Sequence, residues 1–467
     1  MKKRARRGAK GKPQGLKPQS SCGPHAARLK SSPDTKPTNG RSDSAASQFV
    51  QIEKPVYGGA FLARVEGKAV FVPLALPGEQ ARVRVIDDKH GYATAEVEAI
   101  VAAAAERVTP ACKYFGACGG CQYQHAEYTA QVEMKQAILR ETLERGGVRA
   151  PTEMAVLTGD PWAYRNRIRL AFDAEGRAGY RGRRSHTVIA IEECPIAAPL
   201  LVRAAMAAAE LVRALPVRAR PEDISLFCDA RETALLASAM TAGGETRWFE
   251  KFARGLAERV HETKGLELAT QGGRGREARM VARWGASSLL YRAAGFDYRV
   301  DQGEFFQANR WLLDELVECA TKGLSGGLAW DLFAGVGLFA RKLAERFERV
   351  VAVESAAAAT AALKENLKRT NATVVKAATL EFLRGAAKGD RPDVIVADPP
   401  RTGLGAETTE LLGRVGAPEM VYVSCDPATL ARDLRALVAA GYAIERITLA
   451  DLFPQTFHLE TIVRLRR

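Results

Sequence analysis

From about residue 301 onward the chain alternates short apolar, β-branched runs with helical segments, and that rhythm admits one architecture. Strands are expected at 328–333 (LAWDLF), 350–354 (VVAVE), 373–376, 393–398 (DVIVAD), 420–425 (MVYVSC), 442–451 and 460–466. Helices are expected between the earlier ones, at 338–346, 356–369, 406–415 and 427–439. Units of this kind build a doubly wound, mostly parallel sheet, so this part of the chain is of the α/β class. Ligands of such sheets bind outside the carboxyl ends of the strands. That rule selects the residues that carry function.

The first strand runs through Asp331 into Phe333, Gly335 and Gly337. The glycines permit a tight turn and close approach of a ligand to the backbone and to a helix N-terminus. With Ala340, the run GVGLFA also fits the loose dinucleotide fingerprint, which is weak by itself. Glu354 ends the second strand, where a carboxylate can accept both hydroxyls of a ribose, which points to a nucleoside cofactor. Asp398 ends the fourth strand, before Pro399 and Pro400. Cys425 ends the fifth. Pro427 suits a first helical turn, so the thiol is expected beside a helix N-terminus, which favours thiolate; Asp426 opposes this if it points inward. Cys425 is therefore a candidate nucleophile. Glu460 opens the last strand after FPQTFHL and is the candidate general base, with His458 competing on residue type. Any one of these acids alone would read as a surface cap; together at strand ends they read as a site.

Upstream, residues 48–101 carry short strand-like runs punctuated by Gly58, Gly59, Gly67, Pro77, Gly78 and Gly91, the pattern of a small all-β barrel. Barrels of this kind often bind single-stranded nucleic acid, although fold alone does not give function. Residues 102–300 are harder to read, with a helical segment around 126–145 and a basic strand, YRNRIRLAF. Its period of two places Arg165, Arg167 and Arg169 on one face, and Arg181, Arg183 and Arg184 follow in the expected return strand. These arginines suit phosphate contacts and a solvated face equally well.

Eight cysteines in 467 residues are too few for a disulfide scaffold. Four are ordered: Cys112, Cys118 and Cys121 read C-x5-C-G-G-C, and Cys194 precedes Pro195. Four soft thiolates select zinc or an iron–sulfur cluster, and spacing does not separate the two. Cys22 has no partner nearby, and Cys228 and Cys319 fall among apolar residues as expected core thiols.

Charge is uneven. Residues 1–41 hold twelve of the 68 Lys and Arg but only Asp34 of the 54 acids. This head is expected to be disordered and to bind a polyanion, nucleic acid above all. It lacks the apolar stretch of a secretory signal, though a transit peptide fits its composition. No apolar run is long enough to cross a bilayer. The expected division is thus a basic tail at 1–47, a barrel at 48–101, an α+β central domain at 102–300 and the α/β domain at 301–467.

These residues resemble the S-adenosylmethionine-dependent RNA uracil-C5 methyltransferases. The resemblance runs from about residue 50 to the C-terminus and rests on FFQAN (305–309), DLFAGVGLFA (331–340), DPPRTG (398–403), VYVSCDPATLARDL (421–434) and FPQTFHLE (453–460). The barrel resembles the RNA-binding TRAM domain, and CKYFGACGGCQYQH with CPI at 194–196 resembles the family's [4Fe–4S] site. Having both is similar to the bacterial 23S ribosomal RNA branch rather than the shorter tRNA branch.

The resemblance implies a class I, Rossmann-like methyltransferase domain that acts on RNA in the cytoplasm as a monomer. It implies that Cys425 attacks C6 of a uracil, that C5 then takes the methyl group, and that Glu460 removes the C5 proton before the cysteine is expelled. It places Gln307, Phe333, Glu354 and Asp398 around the methyl donor, and gives Cys112, Cys118, Cys121 and Cys194 to the cluster, with zinc the lesser alternative. Some relatives carry Asn where this chain has Leu338. A base in folded RNA must be extruded to reach the thiol, for which barrel, arginines and tail would supply contacts. Three alternatives stand beside this reading: the same chemistry on tRNA, a non-catalytic RNA-binding or ribosome-assembly protein, and a dinucleotide oxidoreductase. The last leaves Cys425, Glu460 and DPPR without roles.

Overall fold

The computed structural model describes residues 47–243, 246–270, 279–386, 389 and 391–467. The basic tail, with Cys22, lies outside the described residues.

Strands β1 (Gln48–Val56), β2 (Ala60–Val65), β3 (Lys68–Pro73), β4 (Gln80–Asp88) and β5 (Tyr92–Ala102) close into a barrel in the order β1-β2-β3-β5-β4. Alternation drives the closure: in β4, Ala81 and Val83 face the core while Arg82 and Arg84 face solvent. The barrel is locked to the following segment by Glu79, which is fully buried and accepts from Arg107 Nη2 at 2.8 Å and from the Leu76 amide at 2.8 Å.

Helix α1 (Tyr128–Arg145) and strand β6 (Ala155–Leu157) come next. Strands β7 (Arg167–Phe172), β8 (Ala178–Arg181), β9 (Val188–Ala190), β10 (Asp223–Cys228), β11 (Leu235–Thr241), β12 (Thr263–Thr270) and β13 (Arg279–Gly285) form a seven-stranded sheet in the order β13-β12-β11-β10-β7-β8-β9. Helices α2 (Pro199–Arg213) and α3 (Phe249–Arg259) pack on it. The alanine-rich face of α2 (Ala204, Ala205, Ala208) is wholly buried and lets the helix sit close to its neighbours.

A hairpin of β14 (Ser288–Ala293) and β15 (Phe296–Asp301) leads to α4 (Leu313–Thr321) and the last sheet. That sheet holds β16 (Gly326–Leu332), β17 (Phe347–Glu354), β18 (Ala372–Lys376), β19 (Val394–Ala397), β20 (Glu419–Ser424), β21 (Ala443–Ala450) and β22 (Glu460–Arg466). Between them run α5 (Leu338–Leu343), α6 (Ala357–Asn366), α7 (Thr379–Ala386), α8 (Ala406–Val415) and α9 (Pro427–Ala439). The order is β18-β17-β16-β19-β20-β22-β21-β6, parallel from β18 to β20, with β22 antiparallel between β20 and β21.

Each expected strand and helix of this part is present; α4 and α7 were not expected. The α/β class with an N-terminal barrel is borne out. Two features cut across the expected division. The 300/301 boundary falls inside β15, and β6, from the central segment, extends the last sheet by pairing parallel with β21. One apolar core runs through both, joining Phe227 and Leu236 to Tyr291, Val350 and Val396.

Candidate active site

The strand order reverses between β16 and β19, so a crevice opens at their carboxyl ends. Beyond β16 the backbone turns through three left-handed residues: Phe333 (φ 64°), Gly335 (φ 55°) and Gly337 (φ 95°). For Phe333 that conformation costs about 1 kcal/mol or more, and the packing around it must hold it. A Cβ on Gly337 would stand 2.7 Å from Leu363 Cδ1, whereas one on Gly335 would meet nothing within 4 Å. The first glycine is thus open to the crevice and the second closes the helix onto the sheet.

Glu354 braces this turn. Its Oε2 accepts from the Gly335 amide at 2.9 Å and keeps a lone pair for a ligand hydroxyl, while its Oε1 accepts from the Ala356 amide at 2.7 Å and from Ser355 Oγ at 3.4 Å. Asp331 is fully buried beneath: Oδ2 accepts from the Ala340 amide at 2.7 Å, while Oδ1 has no partner among the described residues. Burial pushes its carboxyl up to about 8. Across the crevice Gln307 Nε2 donates to Asp398 Oδ2 at 3.3 Å. Burial pushes Asp398 up to about 7, against the pull of that bond. Gln307 is held from behind, because Asn166 Nδ2 donates to its carbonyl at 2.9 Å. Phe333, Glu354 and Asp398 therefore occupy neighbouring ends of one sheet, and Gln307 reaches Asp398 from the loop between β15 and α4.

Cys425 follows the end of β20, and Glu460 opens β22 beside it, in the register Ser424 opposite Thr461. The thiol is pushed up to about 12 by burial and then by the Glu460 and Asp398 carboxylates, with Arg401 opposing. This corrects the expectation of a thiolate: the helix N-terminus is there, but burial, with the Glu460 and Asp398 charges behind it, holds the proton on the sulfur. Asp426 points at its own helix, where its Oδ1 accepts from the Ala428 and Thr429 amides at 3.1 and 2.9 Å.

Glu460 is buried, and its carboxyl is raised well above the usual range by burial and by Asp398, with Arg401 opposing. His458 moves the other way: burial and Arg401 push its imidazole down to about 3, and Nδ1 lies 3.0 Å from Arg401 Nη2. A base so weak takes a proton poorly near neutrality. Arg401 is the residue sequence reasoning missed. Its signal was available, as a single cation inside the strand-end motif DPPRTG. Phe305 was missed too; it is exposed (69%) beside the buried Phe306 and Gln307.

Cys112, Cys118, Cys121 and Cys194 line one cavity, walled also by Phe115, Tyr180 and Arg165. Tyr180 Oη donates to Cys194 Sγ at 3.7 Å, and the Gly120 amide to Cys118 Sγ at 3.4 Å. Among the described residues, no three Cys, His, Asp or Glu side chains are gathered as a metal-binding group. What the structure supports is the coarser statement, four thiols lining one cavity.

The arginine row also reads differently. Arg165 lies in the thiol cavity, Arg167 packs 4.3 Å over the Phe227 ring, and Arg169 pairs with Asp223 at 2.7 Å. Arg183 and Arg184 lie past the end of β8. Alternation fixed a common face, but protein covers Arg165 and Arg167 on it, which leaves Arg169 exposed there and Arg181 and Arg184 exposed around the end of β8.

A family model described as tRNA (uracil-5-)-methyltransferase matches residues 127–467, and a TRAM domain model matches residues 47–97. The chain belongs to the RNA uracil-C5 methyltransferase family. Two curated relatives bear the name 23S rRNA (uracil(1939)-C(5))-methyltransferase RlmD. That of Halomonas elongata is 34% identical over 437 residues, covering 89% of this chain and 88% of that protein. That of Chromohalobacter salexigens is 35% identical over 448 residues, covering 91% of each. The solved tRNA (uracil-54, C5)-methyltransferase of Pyrococcus abyssi, in complex with S-adenosyl-L-homocysteine, superposes with a TM-score of 0.72 at 23% identity. It covers 90% of this chain and 100% of that chain, which speaks to the shared methyltransferase fold. No helix among the described residues is long and apolar enough to cross a membrane.

Proposed function

We propose that this chain methylates C5 of a uridine in 23S ribosomal RNA, with S-adenosylmethionine as methyl donor. The observation that carries the reading is the placement of Cys425 and Glu460 on adjacent strand ends, next to a crevice bordered by Gln307, Phe333, Glu354 and Asp398. The donor supplies an electrophilic methyl group. Uracil C5 is a poor nucleophile until C6 is saturated, which is what a thiol in this position provides. Cys425 gives up its thiol proton to solvent as Sγ adds to C6, the electron pair moves onto C5 and the C4 carbonyl, and C5 takes the methyl group from the donor, which departs as the neutral thioether. Glu460 then takes the C5 proton as the C6–S bond breaks and the thiolate leaves. Arg401 offsets negative charge developing beside Cys425 and Glu460. Glu354 suits the ribose hydroxyls of the donor, and the open side of Gly335 suits close approach of its backbone-facing edge.

The relatives' names support 23S RNA. The family's description and the archaeal structure keep tRNA as the second reading. Mass spectrometry of 5-methyluridine in separated ribosomal and transfer RNA, with and without the gene, tests both. Loss confined to 23S RNA is expected. Loss confined to tRNA would overturn the substrate and keep the chemistry. A ribosomal substrate puts the activity in the cytoplasm.

We also read Cys112, Cys118, Cys121 and Cys194 as ligands of a [4Fe–4S] cluster with a structural role. Four soft donors lining one cavity support this, and zinc is the lesser alternative. Iron, zinc and acid-labile sulfide content after anaerobic purification decides between them. The barrel and central sheet we read as the units that hold RNA, with the last sheet as the methyltransferase unit.

A further inference from the structure

The barrel reaches the catalytic end of the molecule at one turn. Tyr57, Gly58 and Gly59 join β1 to β2, and both glycines are left-handed (φ 106° and 85°). Gly59 is buried: a Cβ there would stand 2.7 Å from Gln122 Cγ and 3.4 Å from Phe457 Cδ1. Glycine is what brings this turn against the loop that carries His458 and Glu460.

Tyr57 projects from the turn away from its own barrel. The barrel core is built from residues such as Val50, Ile52, Phe61 and Val72, whereas Tyr57 packs on the rim of the methyltransferase core. Its ring meets Phe457 edge-on, with centroids 5.6 Å apart and planes at 83°. Phe457 lies 4.3 Å from the His458 ring, and His458 abuts Arg401. A row of three rings thus runs from the barrel to the guanidinium beside the nucleophile. The phenol end of Tyr57 is close enough to Asp426, Arg401 and Cys425 for their charges to act on it. The side chain is half-buried, so part of it stays open to solvent.

We infer that Tyr57 is a positioning residue for the target uridine, supplied by the barrel to the wall of the mouth through which an extruded base reaches Cys425. This rests on the methyltransferase reading above. An extruded base is commonly held between aromatic or apolar side chains, and Tyr57 with Phe457 offers such a wall on the side opposite the sheet. The barrel then does more than hold RNA at a distance: it completes the uracil site.

The test uses 23S RNA transcribed with 5-fluorouridine. Fluorine at C5 cannot be taken as a proton, so the methylated Cys425 adduct persists and is counted on a denaturing gel. With wild-type protein and S-adenosylmethionine an adduct is expected. Its absence in wild type would overturn the methyltransferase reading and this inference with it. In Tyr57→Leu the rate of adduct formation at saturating RNA should fall roughly 10- to 100-fold, the range of a lost base–aromatic contact, while RNA affinity changes less than about 3-fold. Tyr57→Phe should keep most of the rate. A leucine variant that forms adduct within about 2-fold of wild type overturns the inference alone. Should the leucine variant not fold, wild-type protein irradiated on 4-thiouridine RNA answers the same question. A crosslink at Tyr57, located by fragmentation within the tryptic peptide 42–64, is expected, and crosslinks confined to other residues overturn the inference.

Discussion

Lys135 Nζ lies 2.6 Å from Asp451 Oδ1, and neither side chain exposes surface to solvent. The same ammonium donates to the Phe453 carbonyl at 2.9 Å. Nearby on α1, Gln131 Nε2 donates to Gln455 Oε1 and Gln131 Oε1 accepts from the Gln455 amide, both at 2.9 Å. The loop that ends in His458 and Glu460 is therefore fastened to a helix more than 300 residues away in sequence. Burial lowers the lysine's proton affinity and the Asp451 charge opposes that. Removing one partner leaves an uncompensated buried charge, which costs about 3–5 kcal/mol. Lys135→Met should lose that much in denaturant unfolding, and Lys135→Met with Asp451→Leu should recover most of it. A single variant within about 1 kcal/mol of wild type would show that the loop is held by other contacts.

Cys425 and Glu460 act at opposite ends of the proposed reaction, so their variants should fail differently. Cys425→Ala should bind RNA and form no adduct. Glu460→Gln should add to uracil and methylate it, then stall with the protein still attached to RNA, because the C5 proton has no acceptor. Denaturing gels with unmodified 23S RNA and S-adenosylmethionine separate the cases. Turnover by the alanine variant would end the nucleophile assignment, and free, fully methylated RNA from the glutamine variant would end that of the base.

Arg401 gives the pH dependence its sign. Burial and Asp398 raise the Glu460 carboxyl, and Arg401 lowers it. The base works only when ionised, so kcat/KM should climb with pH through a limb well above the ordinary carboxylate range. Arg401→Gln removes the opposing charge from both Glu460 and Cys425, so this limb should move to higher pH and the rate at neutral pH should fall. The measurement is a single-turnover pH profile. A limb that stays in place while the rate falls would make Arg401 a phosphate contact instead.

The strand-end residues were legible because their signals are local. Apolar runs end at Asp331, Glu354, Asp398 and Cys425, and glycine or proline follows all but Glu354, so topology and ligand side follow from the chain itself. Tyr57 and Lys135 were not, because their partners Phe457 and Asp451 lie far away in sequence, and although Arg401 stands in DPPRTG its partner His458 is equally remote. The thiolate expectation failed for the same reason. A helix start next to Cys425 can be read locally, but burial of the thiol, with the Glu460 and Asp398 charges behind it, exists only in the folded sheet. In the arginine strand, a period of two shows which side chains share a face and says nothing about what covers it. For Arg167 the cover is the Phe227 ring and the Glu304 carbonyl.

Asp331 should make the protein less stable toward alkaline pH. Its carboxyl sits at about 8 in the folded chain, held there by complete burial, against an ordinary value of 3.8. Between those values the folded chain keeps a proton that the unfolded chain has lost. Unfolding free energy therefore falls as pH rises; the contribution is full below the ordinary value and gone once pH passes the folded one. One such proton is worth at most about 1.4 kcal/mol per pH unit. Asp331→Asn can keep the bond from the Ala340 amide through its carbonyl oxygen and carries no charge to suppress. Urea unfolding between about pH 5 and pH 8 should then show a shallower decline for the asparagine variant than for wild type. It should not be flat, because Asp398 and Glu460 are shifted in the same direction and remain. Parallel declines in the two proteins would mean that Asp331 is ionised in the fold and that its unpartnered oxygen is satisfied in some other way.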